Sequence, residues 1–417
     1  IMEEPMRRFM GMGLILALGC AAPGGEVPGA APELVGLSSE KLRRIDPLIR
    51  TMIDQKKIAG EVIVVAKDGQ VAYLESWGKM DLEAGKAMRP DTIFRLYSMT
   101  KAIVTTAALI LYEEGKLGLG DPLGTWVPEL GNLQVQAPDG LRKPARPPTV
   151  KDLMLHTAGF TYGGAGKPSD KLYSEKKPLE SRDLDDMAAR LAAIPLAFEP
   201  GKDWIYSVSI DVLGLVVERV SGMKLDRFLE ARILRPLDMK DTGFSVPPEK
   251  LDRLAACYTR TADGLKLQDA PATSRYGRPA TFLSGGGGLV GTARDYLRFL
   301  LMVEGGGELR GVRILKPETV HLMTTDQLPR EAFPIYFGPQ VRHGTGFGLG
   351  FSVRTRDTEW DPAGRVGEYG WGGAASTHYW VSPKDRLVVL TLEQTMPYSF
   401  DTEFAVKGLI YDALVRP

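Results

Sequence analysis

The feature of this sequence that most constrains its fold is the apolar segment 98–114. Between Ile103 and Leu111, apolar side chains would point in every direction around a helix. Such a helix is stable only when other elements surround it, so the segment predicts a central, buried helix. Lys101, near its start, then needs an explanation, because lysine is almost never fully buried without a partner.

Strand-like segments lie towards both ends of the chain. Segments 61–66 and 70–77 flank Lys67-Asp68-Gly69, and Asp-Gly is a strong hairpin signal. Four further strands are predicted before a final helix at about 402–414, and they are 347–354, 365–369, 376–381 and 386–393. The pattern predicts an α/β fold with one sheet built from both chain ends.

Helical segments separated by Pro- and Gly-rich loops fill the middle of the chain, for example 184–194 and 211–221. At 417 residues the chain is too long for one minimal domain. We predict an α/β domain formed by 37–114 and 285–417, with a mainly helical domain, 115–284, inserted between them.

Residues 1–36 have the pattern of a signal or lipoprotein-like segment followed by a linker. Arg7 and Arg8 precede an apolar stretch, 9–19, and Cys20 follows at a lipoprotein-like cleavage position. The pattern predicts an exported, periplasmic protein, with membrane contact only through a lipid on Cys20. The alternative is a disordered extension on a cytoplasmic protein.

The charge balance argues against a nucleic-acid partner. Lys plus Arg and Asp plus Glu both total 52, so no net positive field is available to hold a phosphate backbone. The two cysteines form no disulfide framework and match no zinc-ligand spacing, and the four histidines are widely scattered. A mechanism without metal or cofactor is favoured, and the sequence makes no prediction of oligomeric state.

Ser98 and Lys101 lie one helical turn apart on the same face of the predicted helix. A desolvated lysine amine can accept the serine proton, and a helix N-terminus favours a nearby oxyanion. The same Ser-x-x-Lys spacing also occurs at Ser38, Ser174 and Ser221, but there it lies in polar or loop-like stretches. Only the pair at Ser98 opens a buried apolar helix.

The segment from Phe94 to Lys101 resembles the nucleophile segment of serine β-lactamases, penicillin-binding proteins and the related family VIII carboxylesterases. Further matches follow in the expected order, at 153–159, Tyr206-Ser207-Val208, 283–293 and Trp371-Gly372-Gly373-Ala374. The resemblance spans about 37–415. It implies a class C β-lactamase-like fold, in which an antiparallel sheet is flanked by helices and carries an inserted, mainly helical domain.

The resemblance also implies roles for particular residues. Tyr206 would lie beside Ser98 and share its proton with Lys101. The backbone N–H groups of Ser98 and Ala374 would form the oxyanion hole.

Gly372 and Gly373 would let the backbone approach the substrate closely. Trp371 and Val208 would contact the substrate.

Two departures from the β-lactamase pattern decide the predicted substrate. Trp371 stands where β-lactamases present a lysine to the carboxylate of the drug, and Val208 stands where they present an asparagine to its amide. Each loss would cost about 1–3 kcal/mol, whereas an ester with apolar groups needs neither partner. Trp371 is also the residue that family VIII esterases have at this position. We therefore predict a serine carboxylesterase that hydrolyses short-chain esters through acyl-Ser98, with β-lactam opening as a side reaction.

Other functions remain as alternatives at this point. One is a class C-like β-lactamase or D-alanyl-D-alanine peptidase, and another is a non-catalytic binding protein on the same fold. A Ser-His-Asp hydrolase is disfavoured because no serine is framed as Gly-x-Ser-x-Gly, so His156 and His378 need no triad role. The Gly-x-Gly-x-x-Gly run at 286–291 lacks the βαβ context of a nucleotide site.

Overall fold

The computed structural model describes residues 26–338 and 340–415. The predicted signal core, 9–19, and Cys20 lie outside these residues.

The described residues form twelve α-helices and nineteen strands, many of them short. The helices are α1 Ser39–Leu42, α2 Ile45–Asp54, α3 Thr100–Glu113, α4 Leu123–Trp126, α5 Val150–Leu155, α6 Asp170–Lys176, α7 Leu184–Leu191, α8 Ser209–Ser221, α9 Leu225–Leu229, α10 Ala293–Glu304, α11 Pro317–Thr324 and α12 Asp401–Ala413. The strands are β1 Gly60–Lys67, β2 Gln70–Asp81, β3 Lys86–Ala87, β4 Ile93–Arg95, β5 Val135–Ala137, β6 Gly140–Arg142, β7 Cys257–Thr261, β8 Gly264–Asp269, β9 Val290–Thr292, β10 Glu308–Leu309, β11 Val312–Arg313, β12 Tyr336–Phe337, β13 Gln340–Val341, β14 Thr345–Phe347, β15 Ser352–Arg354, β16 Tyr369–Gly373, β17 Thr377–Ser382, β18 Leu387–Leu392 and β19 Thr395–Met396.

The central sheet has eight strands in the order β14-β15-β16-β17-β18-β1-β2-β3, and all of its pairs are antiparallel. Strand β1 lies beside β18, with Val62 opposite Leu392, so the two ends of the chain meet in the middle of the sheet. This confirms the predicted α/β fold class, an antiparallel sheet flanked by helices.

Strand β1 shows how the sheet separates two apolar layers. Its side chains alternate, so Val62 and Val64 face one core while Ile63 and Val65 face the other. The first core contains α3, α8 and α10, and the second is covered by α1, α2 and α12. The sheet is therefore buried on both faces, which explains its continuous apolar strands.

Helix α3 is the enclosed helix that the sequence predicts. Each residue from Thr100 to Leu111 is buried, and α3 packs against α8. The predicted start at Ser98 differs by two residues because a 3₁₀ turn, Tyr97–Met99, precedes the α-helix.

The predicted strand 347–354 is wrong as a single element. It is a hairpin, β14 and β15, that turns at residues 348–351. Gly350 has φ +93°, which L side chains rarely adopt, and a Cβ on Gly348 would lie 2.0 Å from the Met323 carbonyl oxygen. The glycines permit a turn where the apolar pattern alone indicated one strand.

Two findings concern the whole described part of the chain. No helix in 26–338 or 340–415 combines the length and the apolar character needed to cross a bilayer. The same residues contain no group of three or more His, Cys, Asp or Glu side chains placed to hold a metal ion.

Two glutamates lie inside the protein at one end of the β1–β18 pair: Glu61 on β1, and Glu393 directly after β18. Glu61 is fully buried and neither of its carboxyl oxygens has a hydrogen-bond partner, while Glu393 is 1% exposed with one unpartnered oxygen. Burial raises the pKa of Glu61 well above 4.5, and the neighbouring Glu393 raises it further. Burial likewise raises the pKa of Glu393, to about 8. The Glu393 carboxyl therefore holds a proton in the folded state near neutral pH.

We predict that replacing Glu393 by Gln weakens the loss of stability towards alkaline pH. Between pH 4.5 and about 8, the folded chain keeps a proton that the unfolded chain releases. The free energy of unfolding must then fall as pH rises through this window, by up to about 1.4 kcal/mol per pH unit for each proton. The neutral amide removes one of these protons, so urea unfolding between about pH 5 and about pH 8 should give a shallower slope for Glu393→Gln.

The exposed Glu40 supplies the control, because Glu40→Gln changes an acid that water solvates in both states. Parallel slopes for the wild-type protein and Glu393→Gln would contradict this account of the buried pair.

Candidate active site

Ser98 stands on the 3₁₀ turn between β4 and α3. Tyr97 before it has φ 43°, an unfavourable backbone conformation of the kind that often occurs at functional turns. The turn is fixed on its N-terminal side, where the Leu96 N–H donates to the Leu289 carbonyl at 2.9 Å. Ser98 itself is half-exposed and faces a cavity.

Arg95 anchors the strand that leads into this turn. Its guanidinium is fully buried, forms an ion pair with Asp269 at 2.7 Å and donates to the Ala255 carbonyl at 2.5 Å. The Arg95 backbone N–H donates to the side chain of Gln394 at 3.0 Å. Segments distant in sequence therefore hold the turn that presents Ser98.

Lys101 meets Ser98 in the manner that the spacing predicts. Its Nζ lies 3.2 Å from Ser98 Oγ and donates to the Gly286 carbonyl at 2.5 Å. The same nitrogen lies 4.6 Å from the centroid of the Tyr206 ring, and Lys101 is only 2% exposed. The amine is held between a hydroxyl, a carbonyl and an aromatic face, away from bulk water.

Tyr206 lies beside this pair. Its hydroxyl accepts a hydrogen bond from Trp371 Nε1 at 2.9 Å, and the described residues place no hydrogen bond between it and Ser98. Because the indole N–H can only donate, the phenol hydrogen must point away from Trp371 and stays available to another acceptor. The structure thus brings together Ser98, Lys101, Tyr206 and Trp371.

Asp211 is a site residue that the sequence analysis missed. It is fully buried on α8 and accepts hydrogen bonds from Ser284 Oγ at 2.5 Å and the Gly286 N–H at 2.9 Å. Burial raises the pKa of its carboxyl, while the nearby charge of Lys101 opposes that rise. Asp211 therefore holds the backbone turn whose carbonyl accepts from Lys101. An acidic residue inside the apolar run 210–217 was the available signal.

Strand β16 forms the opposite wall and needs its glycines. A Cβ on Gly373 would lie 2.4 Å from the Leu96 carbonyl oxygen, and one on Gly372 would lie 2.8 Å from the Tyr398 hydroxyl. The close approach brings Ala374 next to the Ser98 turn, and the Ala374 N–H has no hydrogen-bond partner in the described part of the chain.

A cavity of about 230 Å³ opens beside Ser98. Its wall is mainly aromatic and apolar and also contains several charged side chains. The lining residues include Ser98, Trp204, Tyr206, Phe337, Arg342, Phe347, Trp360, Trp371, Gly372, Gly373, Ala374, Tyr398 and Phe400. A pocket with few polar groups in an apolar wall is typical of a small-molecule site.

Val208 does not line this cavity. It is fully buried immediately before α8 and borders a different pocket together with Tyr162. The prediction that its side chain contacts substrate does not fit this geometry, because the backbone carries Tyr206 towards the cavity and Val208 into the core.

The two histidines without a predicted triad role are both buried. His156 Nδ1 lies 3.2 Å from Ser207 Oγ, and burial lowers the pKa of His156 well below 6.5, with Lys101 lowering it further. His378 lies 2.8 Å from the Ser399 carbonyl and 3.0 Å from a carboxyl oxygen of Glu403.

Comparison with known proteins gives consistent results along most of the chain. The family model described as Beta-lactamase matches residues 45–407. Protein Rv1367c of Mycobacterium tuberculosis is 37% identical over 371 residues, which are 86% of this chain and 92% of that protein. Esterase EstB of Burkholderia gladioli is 34% identical over 377 residues, 84% of this chain and 90% of the esterase.

Among solved structures, the chain is similar to "EstCE1, a hydrolase with promiscuous acyltransferase activity". The TM-score is 0.78 at 29% identity, and the match covers 89% of this chain and 99% of EstCE1.

We predict opposite stability changes for two Gly→Ala substitutions. Gly373→Ala forces a Cβ against the Leu96 carbonyl and should lower the free energy of unfolding by about 1–3 kcal/mol. Gly408 lies within α12 with no atom within 4 Å of a built Cβ, so Gly408→Ala should raise it by about 0.5–1 kcal/mol. Urea unfolding measures both. If the Gly373→Ala variant is as stable as the Gly408→Ala variant, β16 does not pack tightly against the Ser98 turn.

Proposed function

The chain belongs to the beta-lactamase family, and we propose that within it the protein is a serine carboxylesterase with Ser98 as nucleophile. The observation that carries the proposal is the 3.2 Å contact between Ser98 Oγ and the buried Lys101 amine, at the wall of a mainly apolar cavity. The similarity to Esterase EstB and to the hydrolase EstCE1 supports the same activity.

In the proposed acylation, Ser98 Oγ attacks the ester carbonyl carbon as its proton passes to the Lys101 amine. The carbonyl oxygen becomes negative and receives hydrogen bonds from the N–H groups of Ser98 and Ala374. When the C–O bond to the alcohol breaks, the Tyr206 hydroxyl donates its proton to the leaving oxygen. An acyl-Ser98, a protonated Lys101 and a Tyr206 phenolate remain.

Deacylation returns both protons. The Tyr206 phenolate accepts a proton from a water molecule, whose oxygen attacks the acyl carbon. As the bond to Ser98 Oγ breaks, the Lys101 ammonium donates its proton to that oxygen. The free enzyme is restored and the carboxylic acid is released.

Trp371 supports this assignment in two ways. Its indole N–H occupies an acceptor site of the Tyr206 oxygen, which leaves the phenol hydrogen free for the leaving group. Its ring adds to the apolar wall at the position where a β-lactamase would present a cation. We therefore propose small carboxylic esters as substrates, in the manner of family VIII carboxylesterases, with slower opening of β-lactams.

We predict that p-nitrophenyl acetate and butyrate are hydrolysed much faster than nitrocefin. Ser98→Ala should lower both activities by at least about a thousandfold, because the acyl-enzyme cannot form. Ser174→Ala is the matched control, since Ser174 has the same spacing to a lysine but is exposed on α6. Nitrocefin turnover equal to ester turnover would contradict the esterase assignment, and full ester turnover in Ser98→Ala would remove the proposed nucleophile.

A further inference from the structure

Arg342 is a buried cation in the wall of the same cavity, and the mechanism above does not use it. It is only 7% exposed. Within the described residues its guanidinium makes neither a hydrogen bond nor an ion pair within 4 Å. Each of its aromatic contacts is with a ring face, and the Cζ lies 4.4 Å from the Trp360 centroid and 4.6 Å from that of Phe400. A buried charge with no acceptor for its five N–H groups is costly.

The nearest acids do not satisfy Arg342, because other cations already pair with them. Asp361 and Glu403 lie 3.0 Å and 3.1 Å from Lys407 Nζ, and Asp361 also lies 3.0 Å from Arg354. Burial lowers the pKa of the Arg342 guanidinium, whereas these two carboxylates at longer range oppose that effect. The guanidinium fork thus remains without a short-range counter-charge.

Arg342 and Ser98 both line this cavity, and the aromatic rings of the wall limit how far Arg342 can lie from Tyr206. The centroid of the Phe337 ring lies 5.7 Å from that of Tyr206 and 5.7 Å from Arg342 Cζ. Arg342 Cζ is therefore no farther from the Tyr206 ring than these two distances together. A short chain attached to an ester at Ser98 can span this separation.

We propose that Arg342 binds a carboxylate carried by the ester substrate, so that the preferred substrates are small esters with one anionic end. This inference rests on the proposed esterase function and deepens it. A guanidinium matches a carboxylate with two parallel hydrogen bonds, and the aromatic faces of Trp360 and Phe400 hold its plane. At the position of Trp371 on β16, β-lactamases present a lysine. In this protein the cation is instead Arg342, in the segment after β13.

The competing explanation is that Arg342 only clamps Trp360 and Phe400 by cation–π contacts. A clamp would affect the binding of charged and neutral substrates alike. A carboxylate site would change their ratio.

The test compares kcat/KM for isosteric ester pairs. In the acyl arm, the p-nitrophenyl monoester of glutarate is paired with p-nitrophenyl 5-methylhexanoate, in which an isopropyl group replaces the carboxylate. In the alcohol arm, 4-(butyryloxy)benzoate is paired with 4-isopropylphenyl butyrate. We expect the wild-type protein to favour the anion in one arm. Arg342→Gln should lower that anion-to-neutral ratio about 10- to 100-fold, and Arg342→Lys should lower it less.

Arg356→Gln is the matched control, because Arg356 is an exposed arginine directly after the β14–β15 hairpin, which Arg342 precedes. The anion-to-neutral ratios of this variant should equal those of the wild-type protein. Thermal unfolding verifies that each variant is folded. If Arg342→Gln leaves the anion-to-neutral ratio of kcat/KM unchanged in both arms, the inference is wrong. The explanation that Arg342 only makes cation–π contacts with Trp360 and Phe400 would then stand.

Binding of the two anionic esters to Ser98→Ala, with and without Arg342→Gln, separates this inference from the proposed function. Binding that weakens at least about tenfold without Arg342 supports the site, and equal binding to both proteins contradicts it. If the Ser98→Ala variant still hydrolyses the esters, only the assignment of Ser98 as nucleophile is contradicted. The inference about Arg342 is unaffected, because its ratio test does not depend on which serine reacts.

Discussion

The buried amine of Lys101 is the point on which the rest of the site depends. It lies between Ser98 Oγ at 3.2 Å and the Gly286 carbonyl at 2.5 Å, and Lys101 is only 2% exposed. A lysine amine is stable in this buried position only if neighbouring elements provide oxygen atoms that accept its hydrogen bonds. Asp211 fixes the Gly286 turn for that purpose, and the apolar helix α3 fixes the lysine itself. The same packing that makes α3 the centre of the fold therefore also presents the reactive pair.

The cavity combines an apolar wall with a few polar groups in fixed places. Trp371 lines the cavity and donates a hydrogen bond to the Tyr206 hydroxyl, so one side chain links the shape of the cavity to the proposed proton transfer. Further along the cavity, Arg342 offers a charge with which no acid in 26–338 or 340–415 forms an ion pair within 4 Å. In the proposed function, the apolar wall limits the size of the substrate, while single polar groups decide its orientation and charge.

Much of this site could be predicted from the sequence because its signals are local. A serine and a lysine one turn apart at the start of an enclosed helix are visible in the residues themselves, and a sheet built from both chain ends follows from the strand pattern. The antiparallel arrangement of that sheet was implied by the family resemblance. Asp211 and Arg342 were not predicted, because their roles depend on partners, or on a lack of partners, that only the tertiary structure defines. Val208 was placed towards the cavity by analogy with a motif, whereas the backbone before α8 turns it into the core.

The central claim is that contact with Lys101 makes the Ser98 hydroxyl reactive. Labelling with a fluorophosphonate, followed by mass spectrometry of the peptides, measures this most directly. The account predicts a single adduct, on the peptide that carries Ser98, and labelling at least about a hundredfold slower in Lys101→Met. An adduct on another serine, or an unchanged labelling rate in Lys101→Met, would contradict it.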